Sequence, residues 1–280
     1  MLKMVTRTDF VEELVKRGYD AKTWEKVKNG VPVSGIMVSG DKGISSFIRV
    51  DCCLDDINKN RKSFESAVEE FIDYFKRNKL EKEFDVTLLS NKEFVLSHLS
   101  IALQKAGNQN LVKKPCAYFG GVEQFLYLAT YNNKEIQLYA EINPDNLVHV
   151  GVSEEEAWER AKQNLHDSIE IWNMVDILRE KMNMDVSQFD EEDIPMYILT
   201  NKGNSHGASG VLDEEILTEF AKKHHTDKLV LLPSSVHEVI ILTDADEDEL
   251  ESMKYLVAAV NEQEVAPEDQ LSDTPTIWKL

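Results

Sequence analysis

An α+β fold is expected, with antiparallel sheets and helices packed on one face. Three observations predict it. Short β-branched runs come in pairs joined by turn residues. Single amphipathic stretches alternate with those pairs. In the C-terminal part the order reads β-β-α-β-β-α, which disfavours a doubly wound parallel sheet. The 280 residues suit one large domain or two modest ones. The division is expected near residue 150, with an α+β region at 1–150 and a C-terminal α+β domain at 151–280.

The elements follow in order. Residues 8–18 place Phe10, Val11, Leu14 and Val15 on one helical face, with Thr8 as cap and Gly18 as stop. Asn29-Gly30 is a strong hairpin signal, because both residues tolerate positive φ. With a second turn at Asp41-Lys42-Gly43, residues 22–51 read as a meander, and Pro32 marks an edge strand. Residues 62–78 carry Phe64, Val68, Phe71, Ile72 and Phe75 at helical spacing, which is a core face. The run LSHLSIALQKAG fits helix and strand equally. Residues 122–142 read as a hairpin turning at Asn132-Asn133. Residues 152–165 are a helix capped by Ser153, with Glu156 completing a capping box. A further amphipathic stretch spans 169–182, and an acidic loop closes at Pro195.

The last third is the most regular. MYILTN (196–201) reads as a strand and GASGVL (207–212) as its hairpin partner. Helix 213–224, strands 228–233 and 237–242, and helix 246–263 complete the pattern.

Charge is unevenly distributed. Residues 1–80 carry 15 basic and 13 acidic side chains, whereas residues 81–280 carry 16 and 38. So negative a second part repels phosphate backbones, so direct nucleic-acid binding is not expected. A protein partner with a basic surface, or a small polar ligand, is. Three cysteines without a CxxC spacing point away from a disulfide scaffold or a zinc site. No cofactor or metal is expected. The opening residues lack the apolar core of a secretory signal and no run is long enough to span a bilayer, so a cytoplasmic location is expected.

Two segments concentrate reactive groups. LLPSSVHEVIIL holds Ser234, Ser235, His237 and Glu238 beside apolar strands. A hydrolase would use a serine as nucleophile and His237 as base, with Asp273 or Glu238 orienting it. Neighbouring strand residues point to opposite faces, so His237 and Glu238 do not meet easily, and no GxSxG elbow is present. The plainer reading is a polar turn. TNKGNSHGASG supplies Asn201, His206 and Gly207 in a loop able to cradle an anion or a small polar ligand. It matches neither a Walker nor a dinucleotide motif. His224-His225 and the run Asp244, Asp246, Asp248, Glu251 lack metal-site spacing.

These motifs, with GVSEEEAWERAKQNL before them and VNEQEVAPEDQLSD after, resemble a family of uncharacterised bacterial proteins common in gut Firmicutes and their mobile elements. That family shows "YVLTN…GA", "LPSSIHEV" and "NxxxVxPEExLSD" motifs. The positions matching them are Asn201, Gly207, Ala208, Pro233, Ser234, Ser235, His237, Glu238, Asn261, Val265, Pro267, Ser272 and Asp273. The tail Asn261–Asp273 is expected to fold back beside the serine-histidine segment, with Asp273 or Asn261 accepting hydrogen bonds from it. No activity or cofactor comes with the resemblance. The function it suggests is a non-catalytic interaction protein, an accessory or anti-defence inhibitor of a basic partner. The alternative is a hydrolase-like enzyme or small-ligand sensor built on residues 234–238.

Overall fold

A computed structural model describes residues 4–40, 45–77, 85–107, 110–132, 137–181, 183–185, 194–233, 235–244 and 247–280. The chain divides into two compact units, Met1–Leu88 and Leu89–Leu280. Residue 150, where the sequence suggested a division, ends a helix inside the second unit.

In the first unit, helix α1 (Arg7–Lys16) is capped by Thr6 rather than Thr8, because Thr6 and Asp9 form a reciprocal capping box. Strands β1 (Ala21–Lys28), β2 (Val31–Ser39) and β3 (Ser45–Ile48) form an antiparallel sheet in that order. Asn29 (φ 50°) and Gly30 (φ 80°) make the β1–β2 turn, both left-handed as a tight hairpin requires. β2 is the central strand, yet β3 covers only its Ile36–Ser39 stretch, so Pro32 lies where β3 does not pair. The turn expected at 41–43 lies outside the described residues. Residues 51–58 form a helix, α2 (Asp51–Asn58), where the meander was expected to end. Helix α3 (Phe64–Arg77) buries Val68, Phe71, Ile72 and Phe75 against Phe10, Leu14, Ile36 and Val38. Phe10 meets Phe64 and Phe71 edge-on, with centroids 5.7 and 5.4 Å away. Each such burial stabilises by roughly 1.5–3 kcal/mol.

In the second unit, the ambiguous run splits into helix α4 (Lys92–His98) and strand β4 (Leu99–Lys105). The reason lies 65 residues downstream. Asn164 donates to the Leu96 and Leu99 carbonyls at 2.9 and 2.7 Å and so satisfies the helix end. Strands β5 (Lys113–Pro115), β6 (Val122–Asn132) and β7 (Gln137–Glu141) join β4, with β6 central. The hairpin forms, but Asn132, expected in its turn, is the last residue of β6 and pairs with Gln137; Asn133 lies outside the described residues. Helices α5 (Pro144–Val150) and α6 (Glu154–His166) cover one face, with Leu99, Ile101, Leu126 and Leu128 beneath Leu147, Trp158 and Leu165. Ser153 caps α6, but Glu156 supplies only its backbone N–H to that cap; its carboxylate pairs with Lys92 at 3.0 Å instead.

Residues 169–182 are not one amphipathic helix. They begin with strand β8 (Ile169–Asn173), followed by a short helix α7 (Met174–Asp176) and a π turn at Ile177–Lys181. β8 pairs with β9 (Met196–Asn201), so it takes the place assigned to 207–212. Gly207–Leu212 is a 3₁₀ turn instead, since both edges of β9 are taken by β8 and β11 (Val239–Leu242). Helix α8 (Glu214–Lys223), strand β10 (Lys228–Leu232), helix α9 (Leu250–Glu264) and strand β12 (Thr276–Lys279) complete a five-stranded antiparallel sheet, ordered β12-β10-β11-β9-β8.

The α+β class therefore holds, and the helices take both faces of this sheet. Leu229, Leu231, Val239 and Ile241 pack with Leu217 and Phe220 of α8. Val230, Leu232, Ile240 and Leu242 pack with Leu250, Met253 and Val257 of α9. KLVLL and VIIL are apolar at both parities, so each face needs cover. No helix among the described residues is long and apolar enough to cross a membrane.

Candidate functional site

The three C-terminal motifs converge. Ala208 N–H donates to Val236 at 3.3 Å, Val236 N–H to Asp269 at 2.8 Å, and Ser272 N–H to Pro233 at 3.0 Å. Ser235 and Gln270 form an isolated antiparallel bridge. The tail thus lies beside the serine-histidine segment. Its pairings differ from those expected. Asn261, 2% exposed, donates to Asp273 at 2.5 Å, and among the described residues the carboxylate that faces His237 is Asp269. Ser272 accepts from Thr274 N–H at 3.1 Å, and Gln270 ties the Asn261 carbonyl at 2.8 Å. These bonds tie the tail to the last helix, but the buried Asn261 Oδ1 finds no hydrogen-bond partner among the described residues.

His237 is held by four contacts. Its Nδ1 accepts from the His206 N–H at 3.3 Å, and its Nε2 lies 3.4 Å from Asp269. Its own N–H donates to Ser235 Oγ at 3.0 Å, and its carbonyl accepts from Thr200 Oγ1 at 3.0 Å. Among the described residues no hydrogen bond joins Glu238 to the His237 ring, in keeping with strand alternation. Ser234 lies outside the described residues.

The loop after β9 is organised by Asn201. Its amide accepts from Gly203 and Ser205 N–H groups at 3.1 and 3.2 Å and donates to the Ser205 carbonyl at 2.7 Å. Asn204 (φ 49°) and His206 (φ 58°) then both adopt the left-handed region. His and Asn tolerate it better than most residues, but it is strained. Gly207 is needed for a different reason. A Cβ there would stand 2.5 Å from Thr200 Oγ1, 2.6 Å from Asn201 N and 2.7 Å from His237 O. The three segments meet at that glycine.

This backbone path drives the His206 ring into the sheet. It is 6% exposed and lies 5.1 Å from the Tyr127 ring, 5.0 Å from Tyr139 and 5.8 Å from His237. Beside it opens a cavity of about 240 Å³, lined by Ser100, Tyr127, Tyr139, Asn164, Ser205 and His206, with His98 and Asn201. Burial pushes the Tyr127 phenol up, and its hydrogen bond with Ser100 offsets part of this. The phenol therefore stays protonated at neutral pH. Of the sequence candidates, Asn201 and His206 line this cavity. Tyr127, Tyr139 and Ser100 were missed. The signal available for them was the alternation along β6 and β4, where Tyr127 and Ser100 sit opposite the Leu-rich core face.

A pH-sensitive contact lies nearby. His166, ending α6, pairs with Asp213 at 2.8 Å, and Asp213 also caps α8 through Ile216 N–H at 3.0 Å. The Asp213 hydrogen bond raises the His166 pKa above its ordinary 6.5. The folded state then holds its proton to higher pH than the unfolded chain. The stabilisation is full below about pH 6.5 and disappears as pH rises through the folded value. Denaturation midpoints measured from pH 6 to 9 are expected to fall with rising pH, and His166→Gln is expected to flatten that slope.

Neither the curated proteins nor the solved structures include one significantly similar to this chain. A family model matches residues 5–279, nearly the whole chain and all the segments that meet at Gly207. On that match the chain belongs to DUF5688, a family of unknown function.

Proposed function

We propose that this protein is a non-catalytic binding protein whose second unit holds a small, uncharged polar molecule in the His206 cavity. The observation that carries the reading is His206 itself. A non-glycine residue is kept in left-handed backbone, with its imidazole buried among aromatic rings at the wall of a cavity. Strain of this type persists only where surrounding structure imposes it, and it clusters at ligand sites. The lining offers hydroxyl, amide, phenol and imidazole groups and, among the described residues, neither carboxylate nor ammonium. A charged ligand would enter unpaired, whereas a neutral one with a flat apolar face and a few polar atoms is matched.

The same geometry weighs against the hydrolase reading. A general base needs a ring nitrogen free to take the nucleophile's proton. His237 Nδ1 is occupied by a backbone donor and Nε2 faces Asp269. Ser235 Oγ is turned to a backbone N–H.

A thermal-shift screen of neutral metabolites tests the proposal. A ligand at 100 times its Kd is expected to add about 2.7 kcal/mol to stability. That shift should vanish in Tyr139→Ala and in His206→Asn, which keeps a residue tolerant of positive φ. If no neutral compound shifts the protein, or if the shift survives both substitutions, the cavity is not the binding site.

A further inference from the structure

We propose that the outer face of the β1-β2-β3 sheet in the first unit binds a single-stranded polynucleotide. Register decides the composition of that face. Directly opposed residues of an antiparallel pair share a side. Lys22 lies opposite Met37, Trp24 opposite Gly35, Lys26 opposite Val33 and Lys28 opposite Val31. Phe47 of β3 lies opposite Met37 and joins the same face. The other face carries Ile36 and Val38 into the core with Phe10 and Phe71. The core side is closed at Ala21, Ile36 and Val38, while the other side presents three lysines with Trp24 between them, above a buried Val33.

The aromatics are set as a platform. Trp24 is 41% exposed at the middle of a strand. Phe47 reaches over Gly35: a Cβ at that position would stand 2.9 Å from the Phe47 ring and 2.6 Å from the Ile48 carbonyl. Lys22 and Lys26 hold their ammonium groups 5.3 and 5.4 Å from the Trp24 and Phe47 ring centroids. Each ammonium covers the ring face that a base would take, so a stacking base displaces it and leaves the lysine charge beside that base's phosphate. Stacking surface with interleaved positive charge is the chemistry of sequence-tolerant single-strand binding.

Lysines on an edge strand also guard against edge-to-edge pairing. That role explains the charges of β1 but not an exposed tryptophan between them. The expectation against nucleic-acid binding rested on residues 81–280, where the acidic surplus lies. The first 80 residues, which hold this sheet, have a slight basic excess.

The test is fluorescence anisotropy of labelled oligo-U and oligo-dT of about 12 nucleotides, titrated with the full chain at low salt. Binding is expected, weakening with log salt at a slope of about −2 for three lysines. Trp24→Ala should weaken it roughly tenfold. Lys22→Glu with Lys26→Glu should abolish it. These side chains are exposed, and unchanged far-ultraviolet circular dichroism confirms folding. The proposal is overturned if neither oligomer binds at low salt. It is equally overturned if Trp24→Ala binds like the wild type, or if polyglutamate or anionic vesicles bind as tightly as the oligomers, since any polyanion would then suffice.

Discussion

Gly207→Ala is expected to destabilise the second unit by about 3 kcal/mol, toward the upper end for inserting a methyl group into closed packing. The added Cβ would stand 2.5–2.7 Å from one side-chain oxygen and two backbone atoms. Backbone atoms cannot swing aside as a flexible side-chain end can. The 3₁₀ turn must retreat from β9, and the Ala208–Val236 hydrogen bond, already 3.3 Å, is the first contact to lengthen. His206 precedes the glycine, so the cavity wall should move with it. Urea denaturation followed by tryptophan fluorescence checks the stability. A midpoint unchanged from wild type would mean that the close approach relaxes at no cost. Any ligand found for the cavity should also bind Gly207→Ala more weakly, a coupling that a distant destabilising substitution would not produce.

Leu199→Ala is expected to cost about 2–5 kcal/mol, as usual for a fully buried leucine. Leu199 is 0% exposed on the β9 face that packs with Val211, Leu217, Val239 and Ile241. Its partner in a sharper test is Gly210. A Cβ at Gly210 would meet Leu199 Cδ2 at 2.6 Å, so Gly210→Ala overfills the space that Leu199→Ala empties. Each single substitution should destabilise. The double variant should lose less than the sum, by about 0.5–3 kcal/mol, as touching residues do. Strict additivity in a double-mutant cycle would show that the two sites do not share that space.

Both predictions concern residues whose roles differ from those their sequence context suggested. Gly207 and Gly210 read as part of a β-strand, and the expected fold would have placed their neighbours in a ladder. In the structure they are points of close approach, and small size rather than backbone freedom is what they contribute. The serine-histidine segment shows the same shift. Its convergence with the Asn261–Asp273 tail was legible because both match motifs of the resembled family and the tail leaves the last helix. Its pairings were not, because Asp269 rather than Asp273 faces His237 and Asp273 is taken by Asn261.

The sequence by itself determined what depends on neighbouring residues. The Asn29-Gly30 turn, the Ser153 cap and the aromatic face of α3 follow from local sterics, hydrogen bonding and a 3.6-residue period. The α+β class follows from strands that come in pairs. Tertiary structure alone decided which strand pairs with β9, where α4 gives way to β4, and which faces α8 and α9 cover. It also brought Tyr127 and Tyr139 to His206. The reason is that a short apolar run lowers its free energy almost equally as helix or strand. The choice falls to whichever distant partner buries it and satisfies its backbone groups. For the α4–β4 junction that partner is Asn164, and for β8 it is the open edge of β9.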